Sequence, residues 1–460
     1  MTVALPNGNI FNLGLKLTLL MSRHLALRWA PINQRGMSMK SLLIRKIGTG
    51  TLVFLLALVC AACVHSVNPS KPNAAFSNLD ELLNKAQEGD SNAQTVLGSM
   101  YAKGEGVPKN DTKAVEWYRK AAEQGIAEAQ YNLGYMILMG IGVPRDYNKA
   151  VEYWQKAAAQ GNVKAQGVLA TMYEHGEIVP KDYTKALEYW QKAAEQGDAK
   201  AQFGFASMYS NGKGVPKDST KAAGWYQKAA DQGNADAQVR LGHMYADGEG
   251  VPKDDTKAAA LYRKSAEQGN AFGQHSLGYV LWFGIGISRN DTEAAEWLQK
   301  AAEQGNADAQ THLGVMYARG EGVPKDSTKA LEWYRKAAEQ GSAPAQDILG
   351  SMYAHGEVVS KDDAEAVQWF RKSAAQGFAI AQSSLGTMYM EGRGVSKNYV
   401  LAYAWLNLAA AQGEKLGQLN RNYLEQHLNS EQRAEGQRLA SNWKKGDALD
   451  GNSSGTALTH

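Results

Sequence analysis

The stretch from Asn306 to Gly341, NADAQTHLGVMYARGEGVPKDSTKALEWYRKAAEQG, returns in register every 36 residues through most of the chain. Its Ala309-Gln310 pair is refilled at Ala93-Gln94, Ala129-Gln130, Ala165-Gln166, Ala201-Gln202, Ala237-Gln238, Gly273-Gln274, Ala345-Gln346 and Ala381-Gln382, with no insertion between them. A fixed period of this length means stacked supersecondary units, none of which can bury its apolar face alone. A length of 460 residues would otherwise suggest about three globular domains. The period replaces that expectation with one growing core.

Each unit reads as two helices. Ala309, Leu313, Met316 and Tyr317 fall at i, i+4, i+7 and i+8, one apolar stripe on a first helix, A. Ala330, Trp333, Tyr334, Ala337 and Ala338 follow the same rule on a second helix, B. Two facing stripes make an antiparallel hairpin whose outer faces the next hairpin covers. The slots of Ala330 and Ala338 hold alanine in every unit, so a methyl group sets how closely neighbouring helices approach. Asp326 and its counterparts Asn110, Asp146, Asp182, Asp218, Asp254, Asn290, Asp362 and Asn398 are all N-cap types. Gly320 and Gly341 are glycine in every unit, and Gly341 follows the last apolar turn of helix B, where a left-handed C-cap is expected.

The pattern Ala-Gln-x-x-Leu-Gly-x-Met-Tyr, Gly-x-Gly-Val-Pro-Lys-Asp, Lys-Ala-x-x-Trp-Tyr-x-Lys-Ala-Ala-Glu-Gln-Gly resembles the Sel-one-like repeat (SLR), a relative of the tetratricopeptide repeat. Nine such repeats fill residues 90–413. The resemblance implies an all-α fold, a right-handed α-solenoid of antiparallel helix pairs that acts as an adaptor or interaction scaffold. In bacteria it implies association with envelope complexes, stress signalling or host-cell contact.

Residues 78–89 read as a capping half-repeat, an isolated helix B with Leu82, Ala86 and Gly89 in the slots of Tyr118, Ala122 and Gly125. Residues 414–445 are expected to form C-terminal capping helices, the last starting near Asn429 or Ser430 and carrying Ala434, Leu439, Ala440 and Trp443. Both ends should be polar-backed, as an open stack requires. The tail, 446–460, is polar and Gly/Ser-rich and reads as disordered.

At the other end, Lys40, Arg45 and Lys46 precede the apolar run Thr51 to Val59, which ends in Cys60-Ala61-Ala62-Cys63. This is a secretory signal, shorter than a membrane span of about 20 residues. Its end resembles a bacterial lipoprotein signal with Cys63 as the lipidated residue, although Cys60 stands where that signal usually has Leu. Residues 37–63 are then the signal, starting at Met37 or Met39, with 1–36 an upstream extension and 64–77 a flexible tether. The expected location is the periplasm or the outer membrane, with membrane anchoring through Cys63; ordinary cleavage just after Ala61-Ala62 would instead leave a periplasmic or secreted chain. Residues 1–63 hold seven Lys or Arg and no acid, which leaves 42 basic against 46 acidic residues beyond them. That balance gives no basic footprint for nucleic acid. Both cysteines lie in this leader, so the repeats contain no disulfide and no thiolate metal site.

Catalytic patterns are incidental. The Gly-x-Gly loops precede an Asp or Asn cap that already occupies the helix N–H groups, so they are loop punctuation and no phosphate cradle. Gly451 to Gly455 fits G-x-S-x-G without the strand and helix of a nucleophile elbow. Ser441-Asn442-Trp443-Lys444 fits S-x-x-K with no companion motif. His243, His275 and His312 lie in three different slots of helix A, which argues against a ligand cluster, and no cofactor site is expected. A hydrolase like the cysteine-rich β-lactam-binding members of the family would need cysteine pairs that these repeats lack.

Two patterns bear on binding. A basic residue precedes every helix-B cap: Lys109, Arg145, Lys181, Lys217, Lys253, Arg289, Lys325, Lys361 and Lys397. Such an edge could follow an acidic glycan of the cell wall, or be solvated and compensated by the neighbouring Asp. The second pattern is a departure from the rule. Most units end helix A with polar or small residues, but two have Leu138, Met139 and Ile141, and Trp282, Phe283 and Ile285, with Ile137 and Leu281 replacing the usual Tyr. As exposed clusters these would contact a protein partner or a second copy of the chain; as local core they would fold back on the solenoid. The reading is a non-enzymatic interaction scaffold of the cell envelope.

Overall fold

The computed structural model describes residues 79–447 and Leu449. The leader, Cys63 and the tether lie outside the described residues, as does most of the tail. The described residues hold 21 helices and no strand, in two compact units that divide after Asp254. In the first unit, α1 (Leu79–Gln87) is followed by the pairs α2 (Ser91–Lys103) and α3 (Asp111–Glu123), α4 (Ala127–Met139) and α5 (Tyr147–Ala159), α6 (Val163–His175) and α7 (Tyr183–Glu195), α8 (Ala199–Asn211) and α9 (Ser219–Asp231), then α10 (Ala235–Asp247). In the second, α11 (Asp255–Glu267) precedes α12 (Ala271–Phe283) and α13 (Asp291–Glu303), α14 (Ala307–Arg319) and α15 (Ser327–Glu339), α16 (Ala343–His355) and α17 (Asp363–Ala375), and α18 (Ala379–Glu391) and α19 (Tyr399–Ala411). The last two helices are α20 (Lys415–Glu425) and α21 (Ser430–Asn442). Within each unit every helix packs on the next as far as α20, and α21 packs on α19. This is the all-α solenoid of helix pairs that the period demands.

Local chemistry sets where each helix begins and ends. The Asp326 carboxylate accepts the Lys329 N–H at 3.0 Å. Asn110, Asp146, Asp182, Asp218, Asn290, Asp362 and Asn398 cap their helices B in the same way. At the other end, Gly341 takes φ 93°, its N–H reaches the Ala338 carbonyl and that of Ser342 the Ala337 carbonyl, each at 3.0 Å. Gln340 is therefore the cap, and the glycine lies one residue beyond it in a Schellman arrangement. Ala309, Leu313, Met316, Ala330, Tyr334, Ala337 and Ala338 are all buried. Tyr317 and Trp333, expected in the same stripes, are only half-buried. Lys329 lies 5.3 Å over the first ring and Lys336 4.2 Å over the second, so their outer faces are covered by lysine rather than by the next hairpin.

A buried amide chain ties the helices together. Gln310 donates from Nε2 to the Ala302 carbonyl of the preceding helix B at 3.0 Å and accepts from Nε2 of Gln340 at 2.7 Å. The second link recurs between Gln94 and Gln124, Gln130 and Gln160, Gln166 and Gln196, Gln202 and Gln232, Gln274 and Gln304, Gln346 and Gln376, and Gln382 and Gln412. Each buried glutamine thus joins three helices. Replacing Gln310 by Leu removes both hydrogen bonds, while the exposed Gln340 amide is hydrated and the Ala302 carbonyl keeps the Gly305 N–H; the expected loss is about 1 kcal/mol in urea unfolding.

The N-terminal half-repeat is present, with Leu82 and Ala86 of α1 buried. The C-terminal end differs from expectation in two ways. Ala434 of α21 is exposed, and Gly436 makes the close approach instead, where a Cβ would stand 2.7 Å from the Tyr403 ring. Helix α20 is not polar-backed: Leu416, Leu419 and Tyr423 are 54%, 66% and 56% exposed.

Candidate functional site

The slots of Asp308, Thr311, His312, Val315 and Arg319 differ widely between units and share a single face of helix A. In α12 the corresponding face is aromatic. Phe272, His275, Tyr279 and Phe283 follow one another turn by turn; Phe272 is 64% exposed and the other three are half-buried. The Tyr279 and Phe283 rings lie 4.7 Å apart. His275 Nε2 meets His312 Nδ1 at 3.1 Å, with the rings within 11° of parallel. Two histidines that the slots seemed to separate are therefore brought together, because one-slot offsets in consecutive repeats face each other. Burial, and then the neighbouring His275, hold the His312 pKa well below its ordinary value. Tyr279 and Trp282 enclose the same imidazole, with ring centroids at 5.5 and 5.9 Å. Among the described residues no group of three His, Cys, Asp or Glu could hold a metal ion.

The two apolar departures are less exposed than the sequence suggests. Leu138 is fully buried and Trp282 is 3% exposed, while Met139, Ile141, Phe283 and Ile285 are half-buried. The reason is the loop of the following unit. Trp282 Nε1 donates to Glu321 Oε2 at 2.8 Å, and at the same 39-residue offset Lys213 pairs with Glu174 at 2.9 Å. A large residue at the end of helix A is thus covered by the next loop. Ile137 and Leu281, in place of tyrosine, are buried as well. In the α4 unit the variable face carries buried Tyr131 with half-buried Tyr135 and Met139. Sequence reasoning singled out Trp282 and Phe283 and weighed His275 only as a metal ligand, but passed over Phe272 and Tyr279, although the i, i+3, i+7 spacing of Phe272, His275 and Tyr279 is visible.

The basic edge is compensated, and the partner is not the capping residue. Lys109, Arg289 and Lys361 pair with Asp111, Asp291 and Asp363, two positions on, at 3.5, 2.7 and 3.8 Å. Arg145, Lys181 and Lys397 lie over Tyr147, Tyr183 and Tyr399 in that same position, and Lys217 reaches Glu249 at 2.7 Å. The cap carboxylates face the other way, to Lys149, Lys185, Lys221 and Lys329.

One acid in the variable face is anomalous. Asp347 is 6% exposed, and its Oδ1 has no hydrogen-bond partner. Burial, reinforced by the Glu414 carboxylate, pushes its pKa up to about 7. The same slot in neighbouring units holds Thr311 and Ser383.

The fold and its site define a class, a stack of two-helix repeats with one variable face. A family model described as Sel1 repeat matches nine consecutive segments, residues 91–126, 127–162, 163–198, 199–234, 235–270, 271–306, 307–342, 343–378 and 379–414. The chain belongs to the Sel1 repeat family. It is similar to a solved protective antigen present in uropathogenic Escherichia coli strains and displaying an SLR fold, at 37% identity and a TM-score of 0.55, over 78% of this chain and 85% of that one. A Sel1 repeat protein from Oxalobacter formigenes shares 34% identity with a TM-score of 0.52, over 68% of this chain and 90% of that one. A comparison with curated proteins gave no match.

Proposed function

We propose that this chain is a non-enzymatic protein-interaction scaffold of the bacterial cell envelope, exported by its N-terminal signal, anchored through lipid on Cys63, and holding a protein partner along α12. The observation that carries the reading is the face of α12, where Phe272, His275, Tyr279 and Phe283 stand part-exposed on the one surface that varies between repeats. Aromatic side chains are the usual anchors of protein interfaces, and Trp282 and Glu321 brace them from beneath. The envelope setting rests on the signal-like run that ends at Cys63. A glycan-binding role for the basic edge draws less support, because most of its cations already have a carboxylate or a tyrosine ring as partner.

Crosslinking in the native cell, followed by identification of what is captured, tests the scaffold role. Joint replacement of Phe272, Tyr279 and Phe283 by Ser should lower capture at least tenfold while circular dichroism shows an intact helical fold; an unchanged set of partners would overturn the assignment to α12. Localisation has a separate check. A Cys63→Ser chain should leave the membrane fraction, and its retention there would refute lipid anchoring.

A further inference from the structure

The exposed stripe on α20 is independent of α12 and of any lipid anchor. Leu416, Leu419 and Tyr423 occupy the slots that Asp308, Thr311 and Val315 hold in α14. In the nine preceding units the middle slot is buried or half-buried: Thr95 is 8% exposed, Tyr131 2%, Thr311 6%, Asp347 6% and Ser383 2%. What covers it is the next helix A. Thr311 Oγ1 meets Ser342 Oγ at 3.2 Å, and His275 meets His312, in each case across the junction between consecutive units. Helix α20 has no successor, because α21 turns back across α19, seating Gly436 on Tyr403 and Trp443 against Trp405 at 6.1 Å. Leu419 is left 66% exposed.

We infer that this open stacking face is a self-association surface, and that two copies of the chain pair through α20 about a two-fold axis. The face is built to receive a helix A of this repeat, and among the described residues α20 is the one helix A in each copy whose stacking face is uncovered. Head-to-tail growth is closed off at the other end, where α1 turns Asp80, Asn84 and Gln87 to solvent and replaces the usual helix-B alanine by Lys85. An isologous, closed pair remains. The flanks of the stripe, Asn420, Asn422, Gln426 and His427, hold no Asp, Glu, Lys or Arg, and the His427 ring lies tilted 4.4 Å from that of Tyr423. Depletion of charge around an apolar centre is the compositional mark of an interface core. Of the two cations on the helix, Arg421 is engaged by Asn422 at 2.8 Å and Glu425 at 3.9 Å, and Lys415 lies at the end of the stripe, so an antiparallel pair keeps the two lysines apart where a parallel pair would oppose them. Three side chains per copy bury less than the roughly 800 Å² per partner of a standard complex, so the pair is expected to be weak and concentration-dependent.

Sedimentation velocity of the full chain across a wide concentration range tests this. A monomer–dimer equilibrium is expected, and Leu419→Glu should weaken it at least tenfold without changing the melting temperature, since the residue is already exposed. In a chain with Cys60 and Cys63 replaced by Ser, Leu419→Cys should form a disulfide-linked dimer on mild oxidation, because residue 419 lies near the axis. A chain that stays monomeric throughout, or a dimer indifferent to Leu419→Glu, overturns the inference. So does association that appears only after deletion of residues 451–460, which would make the chain's own tail the occupant.

Discussion

Asp347→Asn is expected to gain on the wild type as pH is raised from 5 to 8, by about 3 kcal/mol in denaturant unfolding. The carboxyl sits in a slot that holds Thr or Ser in the two neighbouring units, buried, with Oδ1 unpartnered and the Glu414 carboxylate nearby. With a folded pKa raised to about 7 from 3.8, the native state keeps its proton through a window in which the unfolded chain has lost it. The native state thus binds more protons, so stability falls as pH climbs from about 4 to 7 and stays low above that. The buried His312 acts in the opposite direction. Its folded pKa is depressed, so it remains neutral while an unfolded imidazole takes a proton below about 6.5, and its contribution is lost as pH falls. His243, whose pKa burial lowers to about 4, adds to the same slope, so the wild-type profile in the mildly acid range sets Asp347 against these two histidines. Removing Asp347 should expose the histidine slope alone, with stability that rises towards neutral pH.

Gly322→Ala should destabilise its unit by about 2–5 kcal/mol, the sum of left-handed backbone strain and a clash that cannot relax. Gly322 takes φ 70°, and a Cβ there would strike the Asp291 carbonyl of the preceding repeat. The equivalents Gly142, Gly214, Gly250, Gly286 and Gly394 meet the same backbone obstacle. Two units lack this glycine: Ile178 fills the slot without a positive φ, whereas Val358 holds φ 65°, the sole non-glycine residue with positive φ among the described residues. The reverse change, Val358→Gly, should therefore stabilise by about 1 kcal/mol. Thermal melts of the two variants should move in opposite directions from the wild type.

Much of the fold was legible because the same instruction is written nine times. The caps at Asp326 and its counterparts, the glycines after helix B and the alanine slots all stand where the spacing put them. What the period could not convey was which residues of different units touch. The two imidazoles of His275 and His312 look separated by slot number, yet they meet across a junction; Trp282 looks exposed, yet Glu321 closes over it. Both contacts depend on the stagger between consecutive repeats, a three-dimensional offset that no single unit contains. The Asp347 anomaly, by contrast, was open to sequence reading: it is the one acid in a slot otherwise filled by Thr, Tyr, Gly, Phe, Val, His and Ser.

The glutamine chain bears on how such a gene can change length. Every link joins a residue to partners at fixed offsets of eight and thirty positions. Duplicating or deleting one whole repeat leaves every amide with its acceptor, whereas loss of a single codon inside a repeat takes the buried glutamine out of register with its partners. Length variants of this scaffold should therefore differ by complete units, copied or dropped by recombination between near-identical segments, and frame-preserving deletions of any other size should be purged by misfolding.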